Sequence, residues 1–285
     1  MALVDRAPAQ PVRPSLLTSE GRHALGARAL NHPVLTILAV YLISRLVALL
    51  ALWVAATWFQ TPAGVGHDDP GLGDMFGLWD GVWYQRIAQD GYPVPLPVDA
   101  DTGRVTYSAW AFYPLYPYLV KLLMVTGMPF TAAGVVLNVV LGGVAAPLIW
   151  AVLRSGEHAD RQPQRDRLAL VAAGLWCFSP TTAVMLKPYT EALAVALVAG
   201  ALLMLIRRNY LLVALVAIPL GFARGVAPAL GVAVLIHLVV RWREDRAAGV
   251  PPLLGQRWRA LVMLAAVGGS GVAWPVVAAG APGGP

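Results

Sequence analysis

The sequence predicts an all-α polytopic membrane protein with about seven transmembrane helices, on three observations. Aliphatic and aromatic residues make up 58% of the 285-residue chain against 13% charged, far from the balance of a water-soluble domain. Apolar runs long enough to cross a hydrocarbon layer of roughly 30 Å recur along it. The arginines cluster in alternate gaps between those runs, as the positive-inside tendency requires.

Taken in order, residues 1–33 are polar and rich in Pro and Arg, with no small-residue cleavage site after a short apolar core. They read as a disordered cytoplasmic tail and not as a signal peptide. A single transmembrane domain is expected over 34–285, with spans near 34–58, 131–153, 168–186, 191–206, 209–223, 226–240 and 259–277. Each must be helical, because lipid offers no partner to open backbone groups. The segments 191–206, 209–223 and 226–240 fall short of the roughly 20 residues of a straight crossing, so they extend into their flanks, tilt or break. Arg45, near the middle of the first span, must find a polar partner or water, and none is evident in the sequence. The lone Cys177, inside an apolar run, excludes an internal disulfide framework and a cysteine metal cluster.

The stretch 108–127, "SAWAFYPLYPYLVKLLMVTG", decides the topology. If it does not cross, the tail, the 154–167 loop (Arg154, Arg161, Arg165, Arg167), Arg207/Arg208 and 241–259 all lie inside, and the arginine pattern holds throughout. If it crosses, the pattern breaks. It is therefore expected to lie on the outer surface as a helix, interrupted by Pro114 and Pro117 and anchored by interfacial aromatics. The net charge of +6 then reports topology and not nucleic-acid binding.

This topology gathers an outer loop, 59–130, the 187–190 junction and the turn at Arg224 on one face. Segments 60–74 and 93–106 within that loop read as mobile loops covering the outer face. In "WDGVWYQRIAQDGY", 79–92, Trp79, Trp83 and Ile87 recur at helical spacing, and Asp80, Tyr84 and Ile87 form an adjacent stripe. A short surface helix would hold Asp80 at a fixed depth, either as a working carboxylate or simply as the helix cap. Arg224, Lys187 and Arg86 are the outer cations. Each has a bland alternative: a snorkelling arginine, a helix pair with Glu191, and a headgroup contact. Tyr84, Tyr113 and Tyr189 fall on the same face, where tyrosine usually anchors the interface. His67, Asp68, Asp69 and Asp74 are rich in donors but lack an Asp-x-Asp arrangement, so no cofactor and no divalent metal is expected.

Four stretches in order, "WDGVWYQRIAQDGY", "AFYPLYP", "SPTTAVMLKPYTEAL" at 179–193 and "ARGVAPAL" at 223–230, resemble the PIG-V-like integral membrane mannosyltransferases, relatives of the second mannosyltransferase of GPI-anchor synthesis within the GT-C class. The resemblance covers about residues 35–240. It implies a GT-C-like helical bundle with surface helices in the first outer loop. It also implies transfer of a mannosyl group, with inversion, from polyprenyl-phosphate mannose to an acceptor hydroxyl outside the cytoplasm. The family's Trp-Asp acid falls on Asp80 as general base.

That chemistry asks for a carboxylate to take the acceptor proton and for cations to meet the departing phosphate. Arg224, Lys187 and Arg86 are the cation candidates, with Glu191, Tyr84, Tyr113 and Tyr189 around the substrate. The expected partners are the lipid-linked donor, a glycan, glycolipid or protein acceptor, and membrane lipids, with room for a membrane protein partner. Arginine over lysine, with abundant Ala, Val and Gly, suggests a GC-rich bacterium and its plasma membrane. Two rivals remain. Family members continue through further helices, which leaves a non-catalytic subunit or an inactive fragment as one alternative. A transporter or flippase is the other, although apart from Arg45 and Asn138 the spans offer few midplane polar groups.

Overall fold

The computed structural model describes residues 30–59, 71–155 and 162–280. Most of the expected tail, the 60–70 segment with His67, Asp68 and Asp69, and Arg161 lie outside the described residues. Every regular element among the described residues is helical, and pairing is limited to an isolated bridge between Val98 and Val105.

Helix α1, Pro33–Trp58, opens on a proline in its first turn, where the missing N–H costs nothing. Two short helices follow, α2, Leu72–Gly77, and α3, Asp80–Asp90. The stretch 108–127 is not one helix but a 3₁₀ turn, Ala109–Ala111, and α4, Leu115–Met124, because Pro114 sits at the start of α4 and separates them. At ten residues α4 is about 15 Å long, half a bilayer core. The long α5, Phe130–Arg154, comes next.

The span expected at 168–186 is broken. Helix α6, Gln162–Cys177, ends before Ser179-Pro180 and continues as a 3₁₀ helix, Pro180–Leu186, bent by 63°. Arg45 stands at that break. Its guanidinium donates to the carbonyls of Thr182 and Cys177, the latter at 2.8 Å, and to Thr182 Oγ1 at 2.9 Å, with the Tyr41 ring 5.0 Å away. The partner absent from the sequence reading is thus the backbone of a broken helix.

Helices α7, Glu191–Ile206, α8, Tyr210–Ala223, α9, Ala227–Ala247, and α10, Arg257–Ala279, complete the bundle. Helix α9 runs seven residues beyond the expected apolar span because Arg241 pairs along it with Glu244 and Asp245, both at 2.9 Å. Helices α8 and α10 are in such close contact that a Cβ on Gly221 would lie 2.5 Å from the Ser270 carbonyl, the small-residue contact through which helices associate when lipid supplies no hydrophobic drive.

Three helices, α1, α5 and α10, are long and apolar enough to cross a membrane, and α6 with its bent continuation makes a fourth candidate. Large side chains such as Leu35, Leu46, Leu175, Leu215, Ile236 and Leu261 are exposed on the bundle surface, which water would penalise and lipid accepts. The chain is a membrane-embedded helical protein. At one end, here the loop end, α3 and α4 bury Ile87, Tyr116 and Val120 completely against the start of α5. At the other, the arginine end, Arg208, Arg241 and the turn after α9 surround the Tyr210–His237 contact.

Candidate functional site

Four segments converge at the loop end. The first is the turn from α2 to α3, where Trp79 adopts a left-handed backbone with φ of 54°, a conformation that costs a bulky residue roughly 1–3 kcal/mol. That reversal puts Asp80 at the first position of α3. Gly81 is next, where a side chain would be crowded: its Cβ would stand 3.1 Å from the Phe76 carbonyl and 3.5 Å from the Tyr189 ring. The first turn of α3 therefore lies on Tyr189, whose hydroxyl donates to the Leu78 carbonyl at 2.7 Å.

Asp80 is half-buried. Its carboxylate does not cap α3 and has no hydrogen-bond or ion-pair partner among the described residues, so the capping reading is overturned. It stands near two phenols. Burial, reinforced by the Asp80 and Glu191 carboxylates and opposed by Thr190 and Arg224, pushes Tyr84 up to about 12. Burial with the same two carboxylates raises Tyr189 as well. The buried stripe of α3 is Tyr84, Ile87 and Ala88, while Trp79 is 72% exposed, so the expected Trp79–Trp83–Ile87 row is not the packed face.

The second segment is the 187–190 junction, held from α5 by Asn138, whose amide donates to the Lys187 carbonyl and, at 3.1 Å, to that of Tyr189. Lys187 is buried, with its ammonium 4.2 Å from the centre of the Trp79 ring and 5.8 Å from that of Tyr189. No carboxylate pairs with it among the described residues, and burial lowers its pKa. The expected Lys187–Glu191 pair is thus not formed. Glu191 instead accepts Arg224 at 2.8 Å, which leaves its second oxygen buried and unpartnered.

Arg224, just past the end of α8, also donates to Thr190 Oγ1 at 2.8 Å, and the Tyr84 hydroxyl reaches the same oxygen at 3.5 Å. These contacts use part of a guanidinium that carries five N–H groups. Tyr113 is brought to the same turn: a Cβ on Gly225 would lie 2.9 Å from its hydroxyl. Arg86 is not brought in. It is exposed, 5.0 Å over Trp83, and lies about 120° round α3 from Asp80.

A groove of about 540 Å³ starts at Arg224 and Glu191. Its floor is one face of α7, Ala194, Val195, Val198 and Leu202, at the 3–4-residue spacing of a helix stripe. Its walls are Leu230 and its neighbours on α9 and Leu153 with its neighbours on α5. From Glu191 to Leu202 it extends about 16 Å, apolar along its length and charged at one end.

Thr190 and the carbonyl-holding role of Asn138 escaped the sequence reading. A threonine directly before a helix start in "PYTEAL" and a lone amide in an apolar run were the available signals. Among the described residues no three His, Cys, Asp or Glu side chains gather as a metal group. Comparison with protein-family models, with characterised proteins and with solved structures finds no match to the chain.

Proposed function

We propose that this is a PIG-V-like, GT-C-class mannosyltransferase that uses polyprenyl-phosphate mannose, with Asp80 as general base. The observation that carries the reading is the apolar groove ending at Arg224, at the same end of the bundle as the Asp80 carboxylate and as a buried lysine that no carboxylate pairs among the described residues. A polyprenyl tail would lie along the α7 stripe, and its phosphate would take the remaining donors of Arg224, with Lys187 completing the charge. Asp80 would accept the acceptor hydroxyl proton as the new bond to the anomeric carbon forms and the bond to phosphate oxygen breaks, a single inverting displacement. Tyr84, Tyr189 and Tyr113 would border the sugar.

On this reading the bundle crosses seven times, as α1, α5, α6 with its continuation, and α7 to α10. The short α7 and α8 count because tight turns at 207–209 and 224–226 join them to antiparallel neighbours. The loop end faces out of a bacterial plasma membrane and the arginine end faces the cytoplasm, which the arginine distribution supports.

The test is transfer of labelled mannose from polyprenyl-phosphate mannose to membrane lipids and glycans by membranes bearing the chain or Asp80→Asn at matched expression. Loss of a general base should lower transfer by roughly 100-fold or more. Equal transfer by both removes Asp80 from the role, and no transfer by either moves the non-catalytic reading to the front.

A further inference from the structure

The loop between α3 and α4 is more ordered than a mobile cover. Asp99 Oδ1 accepts from Thr102 N at 2.7 Å and Thr102 Oγ1 at 2.8 Å, and Thr106 N donates to the Pro97 carbonyl at 2.9 Å across the Val98–Val105 bridge. This frame presents Tyr107 with 82% of its surface exposed and, among the described residues, no partner for its hydroxyl. Tyr107, Trp110, Thr106 and Ser108, with Ala278 of α10, line an open recess of about 350 Å³, within the roughly 300–1,000 Å³ range of small-ligand pockets. The wall behind it is fixed. Trp110 Nε1 donates to the Pro93 carbonyl at 3.0 Å, its ring stacks on Trp274 at 5.5 Å and 11°, and Trp274 Nε1 donates back to the Trp110 carbonyl at 3.2 Å.

The recess is also joined to the proposed centre by rings. Tyr107 stands 6.0 Å from Trp83, Trp83 stacks on Phe112 at 5.6 Å, and Phe112 meets Tyr84 edge-on at 5.4 Å. Trp83 is one helical turn from Asp80, on the same side of α3.

We infer that Tyr107 and the recess behind it form an acceptor subsite for a neutral pyranose glycan, a placement that rests on the transferase reading above. A flat exposed ring beside hydroxyls suits a sugar, whose C–H face packs on an aromatic plane while its rim of hydroxyls takes hydrogen bonds. Thr106 Oγ1 donates to the Pro97 carbonyl at 3.3 Å and Ser108 Oγ accepts from Trp110 N at 3.4 Å, so the first keeps an acceptor and the second a donor that an acyl chain would leave unused. The charge excludes an acidic glycan: no charged residue lines the recess, and Asp74, Asp80, Asp90, Asp99 and Asp101 outnumber Arg86, Arg104 and Lys121 over 71–129.

The test separates binding from transfer. Purified full-length chain in detergent is titrated with mannotriose, and with trigalacturonate as the anionic control, by tryptophan fluorescence and without donor. The same variants are then assayed for transfer to mannotriose. Mannotriose binding that is retained in Asp80→Asn, weakened about tenfold in Tyr107→Ala and largely kept in Tyr107→Phe supports the subsite, as does a raised acceptor KM at nearly constant kcat in Tyr107→Ala. Equal binding by wild type and Tyr107→Ala, no binding by wild type, or tighter binding of trigalacturonate overturns it. Tyr107-dependent binding without any transfer leaves the subsite standing and sinks the transferase reading. Transfer indifferent to Tyr107 does the reverse.

Discussion

Two arginines stand where helices break, and they are treated differently. Arg45 is 5% exposed, and its guanidinium is spent on the Cys177 and Thr182 carbonyls and the Thr182 hydroxyl. Arg224 has 39% of its side chain exposed, holds one hydroxyl and one carboxylate oxygen, and opens on a groove. Arg45 satisfies backbone left open where a helix breaks in an apolar setting, whereas Arg224 touches only the side chains of Thr190 and Glu191. Where the charge is saturated by the fold, it serves the fold. Where donors are left over beside a cavity, they await something else.

The largest expected effect comes from breaking the saturated site. Arg45→Leu would take the guanidinium from the buried Thr182 carbonyl and leave the Cys177 carbonyl only the Thr182 hydroxyl, at a cost on the order of 3 kcal/mol, read as a lower unfolding midpoint in detergent; an unchanged midpoint would erase the contrast. Arg224→Gln should leave the midpoint nearly unchanged, since half-exposed pairs are worth roughly 1 kcal/mol or less, while the KM for polyprenyl-phosphate mannose rises about tenfold. Equal destabilisation by both substitutions would show that Arg224 is another strut.

Lys187 sharpens the comparison through pH. Burial depresses its pKa below the ordinary 10.5, so its protonated form costs stability in the folded chain. That cost is lifted as pH rises from the folded pKa towards the unfolded one. Amine labelling of Lys187 should therefore reach half its maximal rate below pH 10.5; a midpoint above that value would mean an anion holds it. The smallest effect is Tyr84→Phe, which removes a 3.5 Å contact and should change stability by less than about 0.5 kcal/mol.

The positions of α1, α5, α7, α8 and α10 were legible within a residue or two, because lipid demands an uninterrupted apolar stretch and hydropathy records it directly. The break at Ser179 was missed although Pro180 was in view, since a proline deep inside an apolar run reads equally as a kink within one span or as the start of a second helix. With the break hidden, so was the partner of Arg45. At the site, Asp80, Lys187, Tyr189, Glu191 and Arg224 were all singled out, and the structure brings them to one end. Their pairing was not legible. Sequence spacing favours Lys187 with Glu191, but the 3₁₀ helix ends at Leu186 and turns the lysine towards Trp79 before α7 begins. Thr190 went unseen because its importance lies in being shared by Tyr84 and Arg224, residues 106 and 34 positions away.

The groove along α7 is walled by α5 on one side and α9 on the other. An occupant that slides in between them arrives by diffusion within the bilayer plane. Its supply is then set by the number of such molecules per unit of membrane area. Saturation curves for that occupant would collapse onto one another when plotted against mole fraction in the lipid or detergent phase, and diluting the sample with buffer at a fixed concentration of any soluble acceptor would leave the rate per protein untouched.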